Sequence, residues 1–319
     1  MSFFQPAPGA VLSHDIADYP DGIVLPIDKP WRWTSADVIR KVKFAAFRHF
    51  RKKNLKVGHA GTLDPLATGV LLVCLGPACK RAQEFQDHDK EYVAGIRFGA
   101  TTPSYDLEKE VDRMFPYDQV TEEAVRAVLP SFLGPQEQVA PLFSAKSVDG
   151  VRAYEMARKL YRNAQKGILD PDFDAAALET LHRSRITISE LELLDYVEAS
   201  AVPSRTIFFS TEKRSKNSCP TLDADAACTQ TVISSGAEGG VEKSASSRIN
   251  VADTSSLGLP EARIRIACSK GTYIRAFARD LGEALGTGAH LSSLVRTKTG
   301  AFRLEDALSL EEALALLAD

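Results

Sequence analysis

The chain predicts an α+β fold, a mainly antiparallel mixed sheet flanked by helices. Three observations carry that expectation. Strand-like segments recur from residue 22 into the last third of the chain. Helical segments with recognisable caps stand between some of them. The two kinds do not alternate regularly as they would in repeated βαβ units, so a doubly wound parallel sheet is not expected. At 319 residues, with 44% hydrophobic and 25% charged residues, the chain can bury a sizeable core as one large domain or two small ones.

The elements follow in order. Residues 22–27, Gly-Ile-Val-Leu-Pro-Ile, read as a short strand. Thr34-Ser-Ala-Asp37 looks like a helix start with Thr34 or Ser35 as cap, and Val38, Val42, Ala45 and Ala46 then share one face. Residues 58–69, rich in Gly, Thr and Pro, read as a loop, and 70–75 as a buried strand. Residues 90–98 alternate like a strand. Helices are expected at 121–129, 153–160, 272–285 and 310–317, and strands at 185–196 and 263–267. Between those last two strands, from 199 to 258, eighteen of sixty residues are Ser or Thr and periodicity is lost. That is a low-complexity, disordered insertion hanging from a hairpin tip, an inexpensive place for one because closure entropy grows slowly with length.

Composition excludes several classes. The five cysteines are odd in number and show no C-x-x-C spacing, against a disulfide framework or a zinc site. The N-terminus has no basic start followed by an apolar run, and the longest apolar stretch is too short to span a bilayer, so a cytoplasmic protein is expected. Net charge is only −3, but its distribution is uneven. Residues 29–56 carry ten Lys or Arg against one acid, and 263–303 carry eight against two. Such patches suit a phosphate-bearing ligand, and they equally suit two solvated faces.

The segment Gly58-His-Ala-Gly-Thr-Leu-Asp-Pro-Leu-Ala-Thr-Gly69 carries the chemistry. Its glycines permit close backbone approach, and Pro65 biases Asp64 toward an extended backbone. One carboxylate is thus presented on a stiff loop beside a buried strand and just after a basic helix. A phosphate-cradling loop would need Gly-Lys-Ser/Thr, which is absent. On spacing alone, Asp64 is either a nucleophile or a turn-forming Asp before Pro.

The twelve residues resemble the signature loop of the TruB-type pseudouridine synthases, in which the Asp is the nucleophile. Asp28-Lys-Pro30 with Thr34-Ser35 is similar to that family's N-terminal motif, and Asp89-Lys-Glu-Tyr92 to its second. Ser269-Lys-Gly-Thr-Tyr-Ile-Arg275 resembles its third motif, and Gly288-Ala-His290 with Leu294 and Arg296 the segment after it. The resemblance implies the pseudouridine synthase fold and a set of roles. Asp64 attacks the uridine, at the ribose or on the ring. Tyr92 stacks on the extruded uracil and assists at C5, and Arg275 pairs with Asp64. Tyr273 and Leu294 complete the pocket, His59 lies near displaced nucleotides, and Lys80, Asp106 and Lys29 contact substrate. The implied reaction is conversion of uridine to pseudouridine at position 55 in the T-loop of tRNA. It is an isomerisation and needs no redox cofactor, and no metal is expected. The partner is the tRNA T-arm, with no membrane, and the enzyme is expected to be a monomer.

The same comparison marks departures. Many members end in a small RNA-binding PUA domain, and only about nineteen residues follow Gly300, so none is expected here. Residues 1–21 read as an N-terminal extension, 22–304 as the catalytic domain with the 199–258 insertion, and 305–319 as a short C-terminal helix. Pro141-Leu-Phe-Ser-Ala-Lys146 matches the family's Pro-Met-Tyr-Ser-Ala-Leu-Lys imperfectly. Two other functions fit parts of the pattern: a non-catalytic RNA-binding protein on the same fold, and an unrelated hydrolase with an Asp nucleophile.

Overall fold

A computed structural model of the chain describes residues 3–7, 9–141, 147–148, 151–152, 183–200, 249 and 251–318. The helix expected at 153–160, residues 142–146 of the imperfect motif and most of the insertion lie outside these.

The first strand, β1 (Ile23–Lys29), is almost wholly apolar because both its faces are covered. Helix α1 (Ser35–His49) begins at Thr34, whose hydroxyl accepts from the Asp37 N–H while the Asp37 carboxylate accepts from the Thr34 N–H, a reciprocal cap. Then come β2 (Val57–Ala60), β3 (Thr68–Leu75), a 3₁₀ turn (Gly76–Arg81), α2 (Ala82–Asp87) and β4 (Lys90–Phe98). The short strands β5 (Ala100–Thr101) and β6 (Arg113–Met114) pair with each other ahead of α3 (Glu122–Val128). Strand β7 (Gly134–Val139), the small pair β8 (Ser147–Val148) and β9 (Val151–Arg152), and the long hairpin of β10 (Arg183–Val197) with β11 (Glu261–Cys268) follow. Helix α4 (Ile274–Ala284), β12 (Ala289–Thr299), β13 (Phe302–Arg303), β14 (Leu308–Ser309) and α5 (Leu310–Ala315) complete the chain.

The main sheet runs β14-β1-β3-β12-β4-β11-β10-β7, with β13 beside β12 and β2 beside β3. Among the described strands only the β1–β14 and β3–β12 pairings are parallel, besides an isolated parallel bridge from Phe4 to Ile23. The sheet is therefore the mixed, mainly antiparallel one expected. Alternate residues of β1 and β3 enter two cores. Leu25, Ile27, Leu71 and Val73 meet α1 and α5 in the larger one, which continues under α4 through Ala94, Ile264 and Phe277. Val24, Val70 and Leu72 meet Phe85 and Phe302 on the other side. Both ends of the chain join this body. Phe4 bridges to Ile23, Leu12 and Ile16 are core residues, and β14 and α5 add Leu308, Leu310 and Leu317.

Several sequence expectations need correction. Residues 58–69 are not all loop: 58–60 pair with Leu72 to Cys74 in β2, and 68–69 open β3. Strand β12 carries no clean alternation because register shifts at Leu291/Ser293 and Arg296/Lys298 interrupt its pairing with β4. Strand β7, with Pro135 and few apolar residues, occupies the sheet's edge, where a missing N–H costs little. The insertion does leave a hairpin tip, closed by the Ser200 N–H donating to the Gly258 carbonyl at 2.9 Å. Its C-terminal end belongs to the fold, however, since Ala252 and Thr254 are buried. No described helix is long and apolar enough to cross a membrane.

Thr254 enters a polar network that fastens this segment down. Arg97 donates two bonds to Glu261 (2.9 and 2.5 Å) and one to Thr254 Oγ1 (2.5 Å). His290 Nδ1 lies 2.9 Å from the Ala100 carbonyl and Nε2 lies 3.3 Å from Thr254 Oγ1. A carbonyl only accepts, so Nδ1 carries the hydrogen and Nε2 takes the threonine's. Burial lowers the His290 pKa from 6.5 to about 4. The unfolded chain therefore binds a proton the folded one refuses between those values, and stability falls as pH drops from 6.5 toward 4. The ceiling is about 3 kcal/mol from this residue. Urea midpoints measured across that window should depend less on pH in His290→Gln than in the parent.

Gly69 supplies a second test. Its φ is +99°, and an added Cβ would sit 2.2 Å from the Arg296 carbonyl oxygen on the neighbouring strand. Gly69→Ala should cost about 3 kcal/mol in denaturant unfolding, from backbone strain and overlap together. Gly58→Ala, where nothing lies within 4 Å, should cost less than about 1 kcal/mol.

Candidate active site

The site forms where the sheet splits. Strand β12 pairs with β3 only at Val295↔Thr68 and Arg296↔Gly69, while β2 takes the same edge of β3 from Leu72 onward. Residues 61–67 leave the sheet in the gap, and four anchors hold them. Arg296, fully buried, donates from Nε to the Val70 carbonyl (2.7 Å) and from a terminal nitrogen to that of Gly61 (3.0 Å). The Ser35 hydroxyl at the start of α1 donates to the Leu63 carbonyl (3.2 Å) and accepts from the Leu63 N–H (3.0 Å). Lys29 Nζ donates to the carbonyls of Pro30, Trp33 and Pro65 at 3.0, 2.6 and 3.2 Å. The Ala67 N–H donates to the Asp64 carbonyl at 3.1 Å. The loop is pinned on both sides of Asp64, and the carboxylate is left 37% exposed at its crest.

That carboxylate meets one arginine. Arg275, on the first turn of α4, donates from Nε to one Asp64 oxygen (2.9 Å) and from Nη2 to the other (3.0 Å), a two-point fork. A third bond runs to the Ser104 carbonyl at 3.3 Å, and the Asp106 carboxylate stands 3.7 Å behind. Burial opposes the charge on Arg275, but Asp64, Asp106 and Glu108 outweigh it and push its pKa up further. Asp106 is itself buried, bound by the Ser104 hydroxyl (2.6 Å) and the Glu108 N–H (2.9 Å). Burial raises its pKa, and Arg275 pulls the other way. Two carboxylates thus share one guanidinium, and only Asp64 faces outward.

The apolar surroundings come from the neighbouring strands. Tyr92 on β4 pairs with Arg296 of β12 and Ile266 of β11, and Leu294 shares that face of β12 two residues earlier. Burial raises the Tyr92 pKa against the pull of Arg296, so it stays a phenol at neutral pH. Tyr273 is half-buried at the cap of α4, where Gln138 of β7 grips both its N–H (2.9 Å) and its carbonyl (3.2 Å). His59 stands on β2, two residues before Gly61. Burial and then Arg296 lower its pKa, so the imidazole is neutral. Outward from Ser35 the exposed face of α1 shows Arg40, Lys41, Lys43 and Arg48 around an exposed Phe44. Fifteen residues carry that basic face about 22 Å from the loop.

The structure pairs Asp64 with Arg275. Tyr273 caps the helix that carries Arg275, Tyr92 sits beside the loop anchor Arg296 with Leu294 two residues away, and His59 stands on β2 two residues before Gly61. The structure places three other sequence candidates elsewhere. Lys29 is fully buried beneath the loop with its hydrogens spent on three carbonyls, so it is a strut rather than a substrate contact. Asp106 lies behind Arg275 and orients it. Lys80 follows the Leu75 end of β3, whereas the Asp64 loop joins the Thr68 end, about 23 Å away along the strand. One residue has no sequence signal: Gln138, which acts on backbone atoms only. Among the described residues, no group of three or more His, Cys, Asp or Glu is placed to hold a metal.

Comparison with known proteins places the chain among relatives. A family model described as TruB family pseudouridylate synthase (N terminal domain) matches residues 48–167. One described as tRNA pseudouridylate synthase B C-terminal domain matches 275–319. The chain is 40% identical over 294 residues to the tRNA pseudouridine synthase B of Phocaeicola vulgatus, covering 92% of each. It is 42% identical to that of Bacteroides thetaiotaomicron with the same coverage, and 35% identical over 292 residues to that of Deinococcus deserti, covering 91% and 77%. Among solved structures, a Cbf5-Nop10-Gar1 complex matches 92% of this chain at TM-score 0.51 and 22% identity. The chain spans about half the length of that solved chain (54%), and the likeness is one of fold.

Proposed function

The chain belongs to the TruB family of pseudouridylate synthases, isomerases of tRNA uridine, and from that premise we propose that it modifies uridine 55 in the T-loop with Asp64 as nucleophile. The observation that carries the proposal is the Asp64–Arg275 fork. It is a carboxylate held in one orientation by two bonds and left 37% exposed.

The reaction makes specific demands. The N1–C1′ bond breaks, the uracil turns so that C5 faces C1′, and a C5–C1′ bond forms. C5 loses a proton and N1 gains one, so the product is an isomer. A base buried in a stem cannot do this, and the uridine must leave its stack. Tyr92, Tyr273 and Leu294 supply the apolar enclosure, with Tyr92 as a wall against the uracil. Its raised pKa favours that over action as a base. Asp64 holds the sugar–base unit covalently, at the ribose or the ring, while the base turns. The basic face of α1 grips the phosphates of the T-arm, and His59 packs beside the displaced nucleotides. In this reading residues 22–304 act as one catalytic unit with the elements at both ends, as a monomer in the cytoplasm. The hydrolase alternative lacks support, since Asp106 is buried behind Arg275 and offers no second free carboxylate to activate water.

Incubation of the purified protein with an unmodified tRNA transcript, followed by mapping, is expected to yield pseudouridine at position 55 and nowhere else. A transcript with cytidine there should gain none. Product at another position of the first transcript would overturn the assignment.

A further inference from the structure

The described end of the insertion crosses the edge of this site. Starting from the hairpin tip at Gly258, Thr254 is held by Arg97 and His290, and the Ala252 N–H donates to the Leu107 carbonyl at 2.8 Å. The Ile249 carbonyl then accepts from Arg32 Nη2 at 2.5 Å. Leu107 follows Asp106, which backs Arg275. Arg32 precedes Trp33, whose carbonyl shares the Lys29 ammonium with Pro65. The segment thus ties the loop behind the Asp64 fork to the turn beneath the Asp64 loop, and three residue steps span no more than about 10 Å.

Both anchoring loops carry backbone strain. Arg32 (φ +63°) and Tyr105 (φ +56°) are left-handed without being glycine, a conformation that survives only where surrounding contacts over-determine it. Arg32 is fixed by its guanidinium lying 5.4 Å over the Trp31 ring and by the Ile249 carbonyl. Its Nε is buried and has no hydrogen-bond partner among the described residues.

We propose that Ile249 and residues 251–254 form a strap that positions the uridine pocket, with Arg32 as its latch. The strap fixes the spacing between the Trp31–Trp33 turn and the Asp106–Arg275–Asp64 chain, and so sets how the Asp64 carboxylate meets the uridine. Arg32 and Ala252 are positioning residues that touch no reacting atom. The stretch lies outside both regions matched by the family models. The part of the insertion at 201–248 is separable from this role.

The inference rests on the reading of Asp64 as nucleophile, so the test keeps the two apart. Rates are measured with full tRNA and with an isolated T-arm hairpin. Arg32→Met should lower kcat about tenfold on both substrates, with KM within about twofold, because a small misplacement is felt in the chemical step. Arg32→Lys, which keeps a donor over the carbonyl, should recover most of the rate. Ala252→Pro, which removes the N–H to Leu107, should resemble Arg32→Met. Replacing 201–248 by a short Gly-Ser link should leave kcat within about twofold, since loop length acts weakly. The thermal midpoint of Arg32→Met should fall by only a few degrees, and the kcat loss should persist in assays far below that midpoint, which a merely destabilising change would not show. Parental kcat in Arg32→Met and Ala252→Pro, or a loss confined to KM with full tRNA, would overturn the strap while leaving the nucleophile standing. An inactive parent would instead sink the functional reading.

Discussion

Asp64→Asn should abolish pseudouridine formation, lowering the single-turnover rate by at least about 10⁴-fold, while tRNA affinity changes by less than about threefold. The substitution is isosteric. Its amide oxygen still accepts one of the two Arg275 bonds, and Lys29, Ser35 and Arg296 hold the loop through main-chain atoms that the change does not touch. What disappears is the nucleophilic carboxylate, together with one Arg275 bond and the charge it shares with that arginine. Asp106, the other carboxylate near Arg275, is buried and cannot replace it. Filter binding separates affinity from chemistry, and circular dichroism reports the fold. A variant that keeps more than about a tenth of the parental rate would remove Asp64 from the chemical step.

How much of this was legible beforehand differs by residue. Spacing alone left Asp64 open between a nucleophile and a turn, and only the resemblance of its twelve-residue loop singled it out as the candidate nucleophile. The Arg275 pairing was legible only through resemblance, as no local pattern links positions 211 residues apart. Lys29 was assigned to substrate as a charged residue in a recognised motif, and Asp106 through the family resemblance alone. The fold spends both on the protein itself, one on carbonyl oxygens and one on an arginine. Lys80 was misplaced because adjacency in sequence hides the length of a strand: β3 carries it to the opposite end of the sheet from the Asp64 loop. Strand β12 escaped because two irregularities break the period on which strand recognition depends, although its buried Arg296 closes the gap between β3 and its neighbours. The buried positions at the insertion's C-terminal end escaped because low complexity across sixty residues hides single residues that pack. Thr254 is one Ser/Thr among eighteen by composition, and only the proximity of Arg97 and His290 distinguishes it.

Arg275→Met should lower kcat by about 10³-fold and cost about 3–5 kcal/mol of stability, and the two effects have different origins. The rate falls because the fork that fixes both Asp64 oxygens is gone. The stability falls because Asp106 remains buried without its cation. The sign of the pH dependence separates that cause from lost packing. Burial already raises the Asp106 pKa above its ordinary value, and removing Arg275 raises it further. A carboxyl that binds its proton more tightly folded than unfolded favours the fold at low pH and loses that advantage as pH rises through its folded pKa. The gap in urea midpoint between parent and variant should therefore be small near pH 4.5 and widen toward pH 8. The double variant Asp106→Asn/Arg275→Met should recover most of the lost stability, because it removes the uncompensated charge. It should recover none of the rate, because nothing then orients Asp64. Arg275→Lys keeps the charge but cannot span both oxygens, so it should be nearly as stable as the parent and still slow. Equal pH dependence in parent and Arg275→Met would mean that the cost is one of volume, and that Asp106 does not need the arginine. A fast double variant would mean that Asp64 does not need it either.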